Sequence, residues 1–259
     1  MNLDKSFWKD IDAIGQKSPL IHNITNFVVM NNTANALLAI GASPVMAHAL
    51  EEVGDMAKIA SALVLNIGTL SPDWVEAMLL AGKTARSNST PIVFDPVGAG
   101  ATPYRLEVCQ EIIKQCAPTI IRGNASEIMA LVGSDAVTKG VDSTDSSESA
   151  IESAKLLAKQ TGAIVSVSGA IDYITDGTNL NQVAGGSALM PRVTGMGCTS
   201  TALTAAFAAI NPNVLEAATH AMQLMSYAGY QAAQKSEGPG SFQMNFLDQL
   251  YIINSSENE

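Results

Sequence analysis

The residues best suited to chemistry gather in a few short stretches. Val193-Thr194-Gly195-Met196-Gly197-Cys198 runs into a small-residue segment, Thr199 to Ala209. Two glycines allow a tight turn and close backbone approach to a ligand. A helix starting there would aim free N–H groups outward, with the positive end of its dipole behind them. Gly195, Gly197 and the Cys198 N–H would then form an anion hole for a phosphate or a developing phosphoryl charge. A plain glycine turn before a core helix would carry the same string. Cys198 falls in the first helical turn, a placement that lowers a thiol pKa below its usual value of about 8.5. A partly ionised thiol could accept a proton from a hydroxyl. The alternative is a small buried apolar residue.

Other polar residues stand where apolar runs end. Asn26 follows Ser18-Pro19-Leu20-Ile21-His22-Asn23-Ile24, and Met46 closes Pro44-Val45-Met46. Asn66 and Gly68 end Ala62-Leu63-Val64-Leu65-Asn66-Ile67-Gly68, and Asp95 ends Pro91-Ile92-Val93-Phe94-Asp95. Arg122, Asn124 and Glu127 follow Thr119-Ile120-Ile121, and Ser168 ends Ala163-Ile164-Val165-Ser166-Val167-Ser168. In an open parallel sheet, ligands bind beyond the carboxyl ends of the strands, so these residues would share one edge.

The elements that must position them alternate. The apolar runs are those of strands buried on both faces. Helical stretches separate them: Asn32 to Ile40 closed by Gly41, Glu51 to Ser61, Ser71-Pro72-Asp73 (cap and first-turn proline) to Ser87, Tyr104 to Cys116, Ala125 to Val132, and Ile151 to Gln160. Residues 134–148, rich in Ser and Asp, read as an exposed connection. Asp172 to Thr175 and Asn179 to Val183, split by Asp176-Gly177, read as an edge hairpin. Helices over Cys198 to Ile210, Val214 to Lys235 and Met244 to Ile252 follow. The pattern predicts an α/β fold, one domain over residues 1–259, with a mostly parallel central sheet flanked by helices.

Composition narrows the function. The 259 residues are 47% hydrophobic and 15% charged, and the net charge is −10. This excludes disorder as the main state and disfavours nucleic acid and anionic lipid as partners. Cys109, Cys116 and Cys198 lack zinc-finger spacing and suit a reducing, cytoplasmic setting; Cys109 and Cys116 would share a helix face as two buried thiols. The N-terminal segment does not read as a signal peptide, and no apolar run reaches the ~18 residues of a membrane span.

The glycine turn resembles the Gly-Xaa-Gly-Asp signature of ribokinase-like kinases, with Cys198 in place of Asp. That replacement is typical of one branch, the hydroxyethylthiazole kinases of thiamin salvage. Asn23-Ile24-Thr25-Asn26, Gly41 to Ala47, Leu65 to Thr69, Asp95-Pro96-Val97-Gly98-Ala99-Gly100-Ala101-Thr102, Arg122 to Glu127 and Gly238 to Phe242 are similar to that branch's blocks, in its order. The stretch from 134 to 192 matches least well.

The resemblance implies ATP-dependent phosphorylation of the primary alcohol of 4-methyl-5-(2-hydroxyethyl)thiazole, with magnesium. It implies that Asn124 and Glu127 hold hydrated Mg²⁺ with support from Asp95, that Arg122 and Ser168 contact ATP, and that Asn26, Met46, Gly68 and Gly195 bind the thiazole. Cys198, Gly195 and Gly197 would be the catalytic group. It also implies a homotrimer with active sites at subunit interfaces. His22 and His48 receive no role. A hydroxymethylpyrimidine or pyridoxal kinase is the nearest rival, set back by the Asn23 to Met46 block. A non-catalytic thiazole- or nucleotide-binding regulator is disfavoured by the presence of Asp95, Glu127 and the glycines. A dinucleotide-dependent oxidoreductase should carry Gly-x-Gly-x-x-Gly after the first strand, and none is there.

Overall fold

The computed structural model describes residues 3–133 and 146–255. Eight strands form one sheet: β1 (Leu20–Ile24), β2 (Ser43–Val45), β3 (Ala62–Asn66), β4 (Ile92–Asp95), β5 (Ile120–Asn124), β6 (Ile164–Ser168), β7 (Ile171–Thr175) and β8 (Leu180–Ala184). Their order is β2-β1-β3-β4-β5-β6-β7-β8. The first six are parallel, and β7 and β8 add an antiparallel hairpin at one edge. The chain moves outward from β1 to β2 and then back across to β3, so the strand order reverses between β1 and β3.

Period-two alternation divides the core between the two faces. Ala62 and Val64 of β3 face one apolar cluster, and Leu63 and Leu65 face the other. Val93 of β4 faces the first, and Ile92 and Phe94 the second. The first cluster is closed by helices Lys5–Lys17, Met30–Ala39, Met196–Ala208, Val214–Ala233 and Pro239–Ser255. The second lies under helices Val53–Ile59, Pro72–Ser87, Pro103–Cys116, Ala125–Val132 and Ser146–Thr161.

Several helix ends follow the expected local chemistry. Ser71 caps Pro72–Ser87 by accepting the Trp74 N–H at 3.3 Å. Gly41 takes the left-handed conformation just past Met30–Ala39, with φ +85°. Cys109 and Cys116 are both buried along one helix.

The structure also departs from the sequence reading. Helix Lys5–Lys17 had no counterpart there, yet it buries Phe7, Ile11 and Ile14 behind an Asp4 cap. The glycine-turn helix starts at Met196, so Cys198 is its third residue. The last helix begins at Pro239, five residues before Met244, because proline fits a first helical position. Of the connection read at 134–148, residues 134–145 lie outside the described residues, and helix Ser146–Thr161 takes up its end.

Helix Pro72–Ser87 lies against helix Pro103–Cys116 at Gly82, where a Cβ would stand 2.3 Å from Cys116 Sγ. Alanine there should overpack the contact, which costs about 1–3 kcal/mol. Gly82→Ala should therefore lower the thermal midpoint, despite alanine's better helix propensity, and Cys116→Ala in the same chain should restore most of it. Thermal unfolding of the single and double variants measures both effects.

Candidate active site

The carboxyl ends of β4, β5 and β6 open into a cavity of about 870 Å³. Eight of the eleven residues given a role by the resemblance line it: Asp95, Arg122, Asn124, Glu127, Ser168, Gly195, Gly197 and Cys198. The opposite wall comes from the segment Gly185–Val193 and from Met222, Met225 and Ser226 of helix Val214–Ala233.

Helix Met196–Ala208 points its start at this cavity. Gly195 is its N-cap, in the left-handed region at φ +83°, and no side chain caps the helix. The first N–H groups of such a helix have no partner within it. Gly197 leaves the space where a Cβ would lie 2.8 Å from Arg122 Nη1. The guanidinium therefore rests against the positive end of the helix. Arg122 is 8% exposed, its Nε has no hydrogen-bond partner, and no ion pair forms with it among the described residues. A buried cation with an unpartnered N–H is costly, and Asp95 and Asp172 act on it only from beyond ion-pair distance. An anion in the cavity would satisfy both the guanidinium and the helix start.

Beside this positive wall runs a chain of polar side chains. The Asn26 amide donates to Asn66 Oδ1 at 2.8 Å and to Cys198 Sγ at 3.4 Å. The Asn66 amide donates to Asp95 Oδ2 at 2.9 Å, and the Thr201 hydroxyl donates to the same oxygen at 2.7 Å. The chain links the ends of β1, β3 and β4 to the helix, across the point where strand order reverses. Gly68 is placed here by contact, since a Cβ on it would lie 2.6 Å from Asn26 Nδ2. Met46, after β2 at the sheet edge, is half-buried and does not line the cavity.

Burial pushes the Cys198 thiol up to about 11, and the Asp95 charge adds to the shift. The shift runs opposite to the expected lowering, because desolvation and a neighbouring carboxylate outweigh the Asn66 and Asn26 amides and Arg122. Cys198 is thus a neutral thiol at pH 7. Asp95 is raised to about 6, chiefly by burial, with Arg122 and the Thr201 hydroxyl opposing.

Asn124 and Glu127 form a reciprocal cap on helix Ala125–Val132. Asn124 Oδ1 accepts the Glu127 N–H at 3.0 Å, and Glu127 Oε2 accepts the Asn124 N–H at 2.8 Å. Glu127 Oε1 accepts the Gly98 N–H at 2.9 Å. The Ser168 hydroxyl sits over β5 and donates to Gly123 O at 3.4 Å.

Two residues of the site escaped the sequence reading. Thr201 holds Asp95, and its position one turn after Cys198 was its only signal. Asp172 reaches the cavity from β7 and accepts the Gly169 N–H at 2.9 Å; nothing in the hairpin's sequence marks it. His22 is buried against Ala47 O at 2.7 Å, away from the cavity lining.

For the carboxyl of Asp95, the folded value lies above the unfolded one of about 3.8. The folded state therefore binds the extra proton between the two, and stability falls as pH rises through 6. The loss is on the order of 3 kcal/mol. Asp95→Asn should remove this slope, so that its stability relative to the parent is greater at pH 8 than at pH 4. Denaturant unfolding of both proteins from pH 4 to 8 checks it.

The sequence profile of the hydroxyethylthiazole kinase family matches residues 11–256. A hydroxyethylthiazole kinase of Nitratidesulfovibrio vulgaris is 57% identical over 246 residues, which are 95% of this chain and 92% of that protein. The solved hydroxyethylthiazole kinase of Pyrococcus horikoshii superposes with a TM-score of 0.88 at 42% identity, over 96% of this chain and 93% of that one. A ribokinase-like superfamily protein of Enterococcus faecalis, 11% identical, shares the fold with a TM-score of 0.62 over 98% of this chain and 91% of its own. With its sheet, its glycine turn and its cavity-lining motifs all in place, the chain belongs to the hydroxyethylthiazole kinase family.

Proposed function

We propose that this protein transfers the γ-phosphoryl group of ATP to the primary alcohol of 4-methyl-5-(2-hydroxyethyl)thiazole, giving the thiazole phosphate used for thiamin. The observation that carries the phosphoryl chemistry is the unpaired Arg122 guanidinium lying against the uncapped start of helix Met196–Ala208. Family membership supplies the acceptor alcohol.

Arg122 and Ser168 hold the ATP phosphates, and the N–H groups from Gly195 to Cys198 receive the charge that builds on the transferred group. The donors for magnesium fit a hydrated ion. Asp95, Asn124 and Glu127 are oxygen ligands on one cavity wall, and Asp95 Oδ1 is left over once Oδ2 has accepted Thr201 and Asn66. A hydrated magnesium ion keeps several waters and takes only one or two carboxylates beside phosphate oxygens. Magnesium bound there supplies charge neutralisation of the phosphates. Asn26, Gly68 and Gly195 border the alcohol's place beside Cys198.

The neutral Cys198 thiol fits a loose transition state, which asks little of a base. The thiol orients the alcohol next to the Asn26 amide and fills the first turn without adding charge near Asp95.

A homotrimer with shared sites is part of this reading. Phe27 and Val28, directly after Asn26, are 65% and 62% exposed, and Met46 lies outside the cavity wall of its own chain. A neighbouring subunit over this edge would enclose the thiazole. The three unbridged cysteines support a cytoplasmic setting, and no described helix is long and apolar enough to cross a membrane.

An ADP-release assay with thiazole, pyrimidine and pyridoxine alcohols tests the assignment. Turnover should be highest with the thiazole, and a preference for either other ring would overturn it. Arg122→Ala should raise the KM for ATP at least ten-fold and the KM for thiazole much less, since a charged hydrogen bond is worth about 1.5–3 kcal/mol. Cys198→Ala should keep measurable turnover, whereas Gly197→Val should lose nearly all of it by driving Arg122 off the helix start. Turnover against pH for Cys198→Ala and the parent would expose a thiolate base as a parent-only limb.

A further inference from the structure

Arg105 touches neither cavity nor carboxylate. It lies in the first turn of helix Pro103–Cys116, and its guanidinium ends in three backbone carbonyls. Nη1 donates to Ile67 O and to Val97 O, each at 2.7 Å, and Nη2 donates to Gly68 O at 3.0 Å. No ion pair forms with it among the described residues.

The opposite sides of two of these peptide groups face the site. In a trans peptide the C=O and the next N–H point in opposite directions. The peptide whose carbonyl is Val97 O carries the Gly98 N–H, which donates to Glu127 Oε1 at 2.9 Å. The peptide whose carbonyl is Ile67 O carries the Gly68 N–H, which donates to Asn66 Oδ1 at 3.0 Å, the oxygen that also accepts Asn26. One guanidinium nitrogen thus fixes two peptide planes. One plane orients the acidic residue of the phosphate side, and the other orients the amide chain of the alcohol side. Gly98 makes this possible, because its φ of +69° is a conformation that side chains disfavour.

We propose that Arg105 is a positioning residue that couples the loop after β3 to the loop after β4, holding Glu127 and Asn66 in mutual register. The inference rests on the reading of Asp95, Asn124 and Glu127 as the phosphate-side group. Lysine keeps the charge at this position but, as a point donor, cannot span three carbonyls.

The test is a kinetic cycle of Arg105→Lys with Glu127→Gln, assayed with ATP and the thiazole alcohol. Arg105→Lys should lower kcat at least ten-fold in the parent, with the thermal midpoint within a few degrees. In the Glu127→Gln background the same change should cost less than three-fold, because the group it positions is already impaired. Equal losses in both backgrounds, or a lowered midpoint with unchanged kcat, would overturn the proposal. Arg105→Gln, which donates without charge, takes the place of lysine if that variant misfolds. Amide exchange at Gly98 and Gly68 separates this idea from the assignment of substrate. Both should exchange faster in Arg105→Lys, whichever alcohol the enzyme takes, and unchanged protection would sink the coupling even if the thiazole proves to be the substrate.

Discussion

Two positive ends meet at one wall of the cavity, and the rest of the site is arranged around them. The start of helix Met196–Ala208 and the Arg122 guanidinium would repel each other in a closed core. They are held together because Gly197 has no side chain, because Arg122 emerges from buried β5, and because the helix is anchored along its length by Thr199 to Phe207, all buried. Small residues let this helix lie close over the sheet. The folded chain thereby spends stability to keep an anion site ready, and a bound polyphosphate would return it.

The negative side of the balance is Asp95, also buried, at the end of β4. Its two oxygens have different duties. One is held by Thr201 and Asn66, while the other is left over for the cavity. Burial raises the carboxyl to about 6 even with Arg122 nearby, and a divalent cation bound beside it would lower it again. The reversal of strand order between β1 and β3 places Asn26 and Gly68 alongside. The polar chain thus starts at this reversal and runs to the phosphate wall at the ends of β4, β5 and β6.

Much of this was legible in the sequence because strand ends announce themselves. The buried runs ending in Asn66, Asp95, Arg122 and Ser168 put their polar residues at one sheet edge, and the two glycines marked the helix start. The thiol of Cys198 was not legible. Its local position argues for a low pKa, and only tertiary burial next to Asp95 reverses that. Asp172 arrives on a hairpin strand whose exposed pattern carries no sign of a cavity. Helix Lys5–Lys17 does carry a signal, Phe7, Ile11 and Ile14 at helical spacing behind Asp4, but mixed charges and Gly15 dilute it. Met46 was placed by resemblance alone, and the cavity of its own chain does not reach it.

The placement of that first helix bears on how the protein is made. Its apolar face packs on residues from the far end of the chain: Phe7 lies 6.2 Å from Phe207 between ring centres, Asp10 accepts from Asn211 at 2.8 Å, and a Cβ on Gly15 would meet Asn254 at 2.6 Å. Chain emerges from a ribosome at about 5–20 residues per second, so the helix waits roughly 10–50 s for Asn254 to be synthesised. Phe7 has neither Phe207 nor His220 beside it until most of that interval has passed, while the strands and helices between them can already assemble. Closure of this face therefore waits until helix Pro239–Ser255 has been made, however early helix Lys5–Lys17 forms.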